Sequence, residues 1–219
     1  MKISACIITK NEEKNIQRAL SWGKKIMLEQ IVVDTGSTDW TMELARRMGA
    51  EVFSFSWVDD FSTAKNYAIS KAKGDWIAFL DADEYMLTED VERLEHLIEK
   101  IQTKDYEGLL IGLQNLDEEG KILSSGTQIR FFRNSTDICY RRRIHEQLVS
   151  ASGRELRVWD GVKELSVFHT GYQKKVMEEK KRTGRNRRLL LAELQENPDD
   201  YEMLGYLGDD YEEAGEKER

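Results

Sequence analysis

Short apolar runs alternate with longer amphipathic stretches over the first hundred residues of the chain. The apolar runs predict strands at residues 3–8, 31–33, 51–55 and 76–80. The amphipathic stretches predict helices at residues 11–20, 38–48, 61–73 and 88–102. Strand–helix alternation of this kind is typical of a parallel sheet whose crossover helices cover its faces.

The pattern changes in the second half of the chain. Further strands, separated by turn-rich segments, are predicted at residues 109–114, 128–133, 138–140 and 165–169. The stretch 173–196 is helical and charged, and Pro198 predicts the start of one more helix. We therefore predict an α/β fold with a Rossmann-like, mostly parallel sheet flanked by helices, a mixed extension and C-terminal helices.

Composition and charge narrow the class of protein. Of 219 residues, 40% are hydrophobic, which excludes global disorder, and the net charge of −8 argues against general binding to nucleic acid. No apolar run approaches about 18 residues, and the N-terminal sequence predicts no signal peptide. Cys6 and Cys139 are far apart and are expected to be buried thiols. We expect the protein to be cytoplasmic, and the alternative is that it associates peripherally with a membrane.

Polar clusters follow three of the predicted parallel strands. They are Thr-Lys-Asn-Glu-Glu at 9–13, Asp-Thr-Gly-Ser-Thr-Asp at 34–39 and Asp-Ala-Asp-Glu at 81–84. Parallel strands end at the same edge of a sheet, which is where ligands bind in open α/β folds. The three clusters are therefore expected to converge on one site.

Each cluster also has a purely structural interpretation. The carboxylates at 81–84 repel one another unless a cation such as Mg²⁺ or Mn²⁺ neutralises them, but they could also form a solvated turn. In the second cluster, Ser37 or Thr38 could cap the next helix, which leaves Asp34 to accept hydrogen bonds from a base or ribose. Asn11 could cap the first helix, with acidic residues in its first turn.

Five motifs occur in order over about residues 1–170: ITKNEEKNI, IVVDTGSTDWT, FSTAKNYAISKAKGDWIAFLDADE, RRRIHEQL and FHTGY. Together they resemble the family 2 glycosyltransferases, which are inverting enzymes of GT-A fold. The resemblance implies a sugar donor linked to a nucleoside diphosphate, with UDP favoured, and a divalent cofactor, Mn²⁺ or Mg²⁺. The acceptor stays open between a saccharide, a lipid and a peptide.

The resemblance also implies roles for individual residues. It assigns the nucleotide and its diphosphate to Thr9, Glu12, Asp34, Lys65, Asn66 and Asp81, and the metal to Asp83 and His169. Lys65 stands where many relatives have Arg. The positive charge is kept, but the planar guanidinium, which can bind a phosphate through two N–H groups, is lost. Glu146 is expected to be the base that takes the proton of the acceptor, with His145 orienting it or contacting phosphate. The alternatives are a surface pair for His145 and Glu146 and a core histidine for His169.

The C-terminal part carries two further features. Residues 173–188 include eight basic side chains, which predict a solvated helix that presents charge to the site. The alternative binding partners for this basic stretch are nucleic acid, a membrane surface and an acidic acceptor. The spacing of Leu204, Leu207, Gly208 and Tyr211 matches the first helix of a tetratricopeptide repeat. We therefore divide the chain into a GT-A domain, 1–172, and a helical segment, 173–219, where such a repeat begins and where homodimerisation or acceptor docking is expected.

The sequence thus predicts a metal-dependent inverting glycosyltransferase. A nucleotidyltransferase is disfavoured because the first motif offers no Gly/Arg-rich phosphate loop. An inactive nucleotide-binding or scaffold protein of the same fold is disfavoured because Asp81, Asp83, Glu146 and His169 are all present.

Overall fold

A computed structural model of the chain describes residues 2–171 and 184–215. The strands are β1 Ile3–Thr9, β2 Met27–Asp34, β3 Glu51–Ser54, β4 Trp76–Phe79, β5 Glu84–Tyr85, β6 Gly108–Leu116, β7 Ile122–Arg133, β8 Ile138–Arg141, β9 Gln147–Ser150, β10 Val158–Asp160 and β11 Ser166–His169. The helices are α1 Ile16–Ser21, α2 Thr41–Arg47, α3 Phe61–Ile69, α4 Thr88–Gln102, α5 Arg185–Glu196 and α6 Tyr201–Glu213.

One large sheet organises the main part of the chain. Its strands run in the order β3-β2-β1-β4-β7-β6-β11-β5, and β10 also pairs with β6. Strands β3, β2, β1 and β4 are parallel, whereas β7 is antiparallel to both of its neighbours. A separate hairpin is formed by β8 and β9. The predicted α/β fold with a mostly parallel sheet and a mixed extension is confirmed.

The apolar strands are buried because helices cover both faces of the sheet. Helix α4 packs Leu94, Leu97 and Ile98 onto one face, in a cluster with Trp76 and Phe131. On the other face, α3 packs Ala68 against β1, β2 and β4 in a second cluster. The small alanine side chains let α3 lie close to the sheet, which places its polar residues at the strand ends.

The described C-terminal helices pack against the main part of the chain. Leu189 and Leu190 of α5 and Met203 of α6 form an apolar cluster with Ile144, which precedes β9. The predicted helix over 173–196 is seen from Arg185 onward; its first part, with five of its basic residues, lies outside the described residues. Helix α6 begins at Tyr201, where the Asp200 carboxylate accepts hydrogen bonds from two backbone N–H groups, and not at Pro198 as predicted.

The helix caps predicted for Asn11, Ser37 and Thr38 are wrong. Helix α1 begins only at Ile16, and Asn11 instead has a positive φ of 57°. The side chain of Asn11 accepts a hydrogen bond from the Thr38 N–H (2.8 Å), and its own N–H donates to Ser37 Oγ (2.8 Å). These residues therefore fasten the first two polar clusters to each other.

The prediction of two buried thiols holds for one of the two cysteines. Cys6 is buried, but Cys139 is only partly buried, and neither forms a disulfide.

Among the helices that the structure describes, none has both the length and the apolarity to cross a membrane.

Candidate active site

A cleft of about 720 Å³ opens beyond the carboxyl ends of β1 and β4. Its walls are completed by β7, by the segment before β9 and by helices α5 and α6. Of the residues expected in the site, the cleft brings together Thr9, Glu12, Lys65, Asp81, Asp83, Glu146 and His169. Asp34 and Asn66 do not line it. The convergence expected from parallel strands is therefore present.

Asp34 lies behind the cleft and shapes its rim. Its carboxylate accepts hydrogen bonds from the N–H groups of Gly36 (3.0 Å) and Ser37 (2.9 Å) and from Thr9 Oγ1 (3.3 Å). Gly36 has a φ of 109°, a conformation that favours glycine. Thr9, in register with Asp34 on the neighbouring strand, is the member of this pair that faces the cleft.

Glu12 lies at the rim of the cleft just after β1. Its N–H donates to Thr41 Oγ1 at 2.7 Å, and its carboxylate accepts a hydrogen bond from Asn15 Nδ2 at 2.8 Å. The backbone contact ties the loop after β1 to the first residue of α2. Glu12 is therefore held at the rim of the cleft by α2 and by the segment that leads into α1.

Lys65 is buried, and its charge is taken up by protein carboxylates. Its side chain is 3% exposed, and Nζ contacts Asp81 Oδ1 at 3.2 Å and forms a close ion pair with Glu146. Burial alone would lower the pKa of Lys65, but the two carboxylates outweigh it and raise the pKa. Nζ also lies over the rings of Phe79 and Tyr140. Lys65 thus lines the cleft as a link between Asp81 and Glu146.

Arg130 is a site residue that the sequence did not single out. It lies in the middle of β7 with 5% of its side chain exposed, contacts Asp81 Oδ2 at 3.0 Å and forms a close ion pair with Glu84. Burial would raise the pKa of Asp81, but the charges of Lys65 and Arg130 hold it well below its usual range. Burial, helped by the charge of Asp81, raises the pKa of the deeper Glu84 to about 7. Asp81 itself stays 36% exposed to the cleft.

Asp83 and His169 face each other at the opposite end of the charged cluster. Asp83 Oδ2 lies 3.2 Å from His169 Nε2, and His169 Nδ1 lies 2.8 Å from Asn115 Oδ1. Burial lowers the pKa of His169, but the hydrogen bond and charge of Asp83 outweigh it and raise the pKa. Within residues 2–171 and 184–215, no group of three or more His, Cys, Asp and Glu side chains is placed to hold a metal ion.

Asn66 has a different environment from the one expected. Its Nδ2 donates to the carbonyl of Tyr140 (2.9 Å) and its Oδ1 accepts from the Tyr140 N–H (2.8 Å). This double contact joins α3 to β8 in the manner of a strand pair. Both polar atoms of the amide are used by the protein, so we no longer expect Asn66 to contact a diphosphate.

Substitution of Asn66 tests this structural role. Asn66→Ala leaves two partly buried groups of Tyr140 without partners and is expected to lower the free energy of unfolding by about 1–3 kcal/mol. Asn66→Asp keeps the acceptor for the Tyr140 N–H but sets a carboxylate oxygen against the Tyr140 carbonyl, so it is expected to destabilise the protein as well. Urea denaturation measures both changes. An unchanged unfolding free energy together with a loss of nucleotide affinity would contradict this role.

Comparison with known proteins identifies the family. Residues 4–179 match the model of Glycosyl transferase family 2. A TPR repeat-containing protein of Synechococcus elongatus is 32% identical over 213 residues, which cover 94% of this chain and 51% of that protein. The SPbeta prophage-derived glycosyltransferase SunS of Bacillus subtilis is 27% identical over 208 residues, which cover 94% of this chain and 48% of SunS. The chain thus spans about half the length of these relatives.

Solved structures share the fold. S. aureus TarS 1–349, crystallised with UDP-GlcNAc, superimposes with a TM-score of 0.57 at 17% sequence identity, covering 96% of this chain and 72% of that one. At this identity the likeness concerns the fold alone. The sheet order, the cleft at the strand ends and the family match agree, and the chain belongs to glycosyl transferase family 2 and has the GT-A fold.

Proposed function

We propose that the chain is a metal-dependent inverting glycosyltransferase that uses a UDP-linked sugar. The observation that carries the proposal is a single cleft that contains the Asp83–His169 pair and the carboxylate of Glu146. Family membership supports sugar transfer, and the complex of TarS with UDP-GlcNAc supports a UDP-linked donor.

Asp83 and His169 fit a divalent cation. If His169 Nδ1 carries the proton and donates it to Asn115, the lone pair of Nε2 is left facing Asp83 Oδ2. Two acceptor atoms at 3.2 Å repel each other unless a proton or a cation lies between them. Mn²⁺ or Mg²⁺ bound there would stabilise the negative charge that develops on the leaving diphosphate. Donor oxygens would complete the ligands.

Glu146 is proposed to take the proton of the acceptor hydroxyl as it attacks the anomeric carbon. One carboxylate oxygen is held by Lys65, and Lys65 is held in turn by Asp81. The other oxygen is proposed to face the acceptor. This chain of ion pairs fixes the Glu146 carboxylate without a direct contact to Asp83 or His169. Such a position suits a base on the acceptor side of an in-line displacement.

Lys10 and Arg185 are proposed to face the diphosphate in place of Lys65. Both line the cleft, and neither forms an ion pair with any residue in the described ranges. The guanidinium of Arg185 lies 5.1 Å from the ring centroid of Phe61 and donates a hydrogen bond to the Asn186 side chain at 3.2 Å. Burial lowers the pKa of Arg185 and outweighs the opposing effect of the Glu146 charge.

The C-terminal helices are proposed to begin a tetratricopeptide region and to serve homodimerisation or acceptor docking. Leu191 and Leu204 are exposed on α5 and α6, 41% and 43% respectively. The relative from Synechococcus is named for such repeats. The main domain is proposed to extend to residue 172, as the sequence indicated.

The proposal is tested by thermal shift and turnover. UDP with Mn²⁺ is expected to stabilise the protein by about 2.7 kcal/mol at a concentration of 100 times Kd, whereas GDP, CMP or metal alone is expected to do less. A panel of nucleotide sugars is then screened for release of free nucleoside diphosphate. Binding of UDP without release of nucleotide from any sugar donor, with or without candidate acceptors, would favour a binding protein instead.

Gly171 provides a test of the metal pair that alters neither ligand. A β-carbon at Gly171 would collide with both Asp83 Oδ2 and His169 Nε2, whereas one at Gly126 would meet open space. Gly171→Ala is expected to weaken UDP binding in Mn²⁺ by about 10–100-fold because it displaces the two ligands. Calorimetric titration measures this, with Gly126→Ala as the control. Unchanged affinity would show that the pair does not hold the metal.

A further inference from the structure

The segment that leads into Glu146 has an unusual backbone. Arg142 and His145, which flank Arg143 and Ile144, have φ values of 77° and 51°. Residues other than glycine rarely adopt these left-handed conformations, which persist where surrounding contacts hold them in place. We call residues 142–146 the base loop, because Glu146 is its last residue.

Helix α3 holds only part of the base loop. The N–H of Phe61 donates to the carbonyl of Arg143 at 2.9 Å, and the hydroxyl of Ser62 donates to the carbonyl of Arg142. Together with the ion pair between Lys65 and Glu146, these contacts fix the carbonyls and the last side chain. The N–H of Arg143 and the side chains of residues 142–145 face the C-terminal helices.

Helix α5 holds the centre of the base loop. The Arg143 N–H donates to Glu193 Oε2 at 2.9 Å, and Glu193 is a buried carboxylate that is 6% exposed. The side chain of Ile144 is packed in the cluster with Leu189 and Leu190 of the same helix. Glu193 does not line the cleft, so it touches the loop and not the ligand site.

Helix α6 holds the two left-handed residues. The ring of His145 stacks on Tyr206 with centroids 3.7 Å apart and an interplanar angle of 11°. The guanidinium of Arg142 contacts Asp200, in the cap of α6, at 3.0 Å and Glu202 at 2.6 Å. Four consecutive residues before Glu146 are therefore each held by α5, α6 or the cap between them.

We propose that α5 and α6 belong to the catalytic unit and position Glu146, with Glu193 and Tyr206 as the positioning residues. The inference rests on the proposed role of Glu146 as the base, and it places a role in catalysis on helices that the sequence assigns to a separate repeat segment. Loss of a contact to the base loop would misplace the Glu146 carboxylate while the nucleotide side of the cleft is kept. Misplacement by about 1 Å can slow a reaction on the order of 100-fold.

Three variants of the full chain test the role of Glu193. Glu193→Ala removes the acceptor for the Arg143 N–H, and Glu193→Gln keeps it. Gln195→Ala changes an exposed polar residue of the same helix that makes no hydrogen bond to the base loop among the described residues. We expect Glu193→Ala to lower kcat on the order of 10–100-fold with little change in UDP affinity. Glu193→Gln and Gln195→Ala are expected to stay close to the parent protein.

Amide hydrogen exchange of the base loop gives a readout that does not depend on turnover. Exchange at residues 142–146 is expected to be faster in Glu193→Ala and close to the parent rate in Glu193→Gln. Tyr206→Leu, which removes the stacked ring and keeps an apolar side chain, is expected to increase exchange at the same residues and serves if Glu193→Ala does not fold.

The outcomes separate the two proposals. Parent-like exchange in both Glu193→Ala and Tyr206→Leu, or parent-like kcat in both, would overturn the positioning role. An equal loss of kcat in Glu193→Gln and Glu193→Ala would also overturn it, because the acceptor is kept in the first. Full activity of Glu146→Gln would instead overturn Glu146 as the base, whatever the exchange rates of the loop.

Discussion

Glu146→Gln is expected to slow sugar transfer by about 10²–10⁴-fold, the usual contribution of a general base. The amide has nearly the same shape and can still accept a hydrogen bond from Lys65, but it cannot take a proton from the acceptor. UDP affinity is expected to change little because Glu146 lies on the acceptor side. Initial rates with a saturating donor and calorimetric titration with UDP measure the two effects.

A matched change on the surface controls for this result. Glu164→Gln replaces an exposed carboxylate outside the cleft and is expected to leave both quantities unchanged. If Glu146→Gln transfers sugar at the parent rate, Glu146 is not the base. If it loses UDP affinity as strongly as activity, Glu146 acts in binding and its proposed place on the acceptor side is wrong.

Asp83→Ala is expected to lower transfer by about 10²–10⁴-fold and to abolish the effect of Mn²⁺ on UDP binding. Charge stabilisation by a metal is worth several kcal/mol, and each 1.36 kcal/mol is a factor of ten in rate. The alanine removes the carboxylate that faces His169 Nε2. Thermal shift with UDP, measured with and without Mn²⁺, tests the binding effect directly.

Asp199→Ala is the control for the loss of an acidic group, since Asp199 is exposed and outside the cleft. Persistence of the Mn²⁺-dependent UDP stabilisation in Asp83→Ala would assign the metal to other ligands. A loss of UDP binding even without metal would indicate that Asp83 supports the nucleotide pocket itself.

Much of the fold follows from local periodicity. Helix α4 has the bounds predicted from its apolar spacing, and β1 and β4 lie where continuous apolar runs predicted buried strands. The sequence did not predict β5, β9 and β10, which have two to four residues each. Strands this short exist because a partner strand is available in the folded chain, so local preference carries little signal.

The site was predictable where it depended on topology. The ends of parallel strands must share an edge, so the convergence of Thr9, Asp81 and Asp83 on one cleft could be predicted. Roles that depend on the burial of a side chain could not be predicted from the sequence. A lysine in a helix looks the same in the sequence whether it faces a phosphate or is enclosed by two carboxylates, as Lys65 is.

Arg130 and Asn115 illustrate a second limit. Each is one of several polar residues in its strand, and strand alternation does not distinguish a side chain in solvent from one directed at a site. Arg130 becomes recognisable only once β7 pairs with β4 and brings it to Asp81. The wrong cap at Asn11 has a similar cause, because its partner is Thr38, 27 residues further along the chain.

The most direct test is a crystal structure with UDP-GlcNAc and manganese, in which anomalous scattering locates the metal. We predict one manganese ion bound by the Asp83 carboxylate, by His169 Nε2 and by diphosphate oxygens, with the sugar directed toward Glu146. Nucleotide bound at another surface, or manganese in the cleft without contact to Asp83 and His169, would contradict the account.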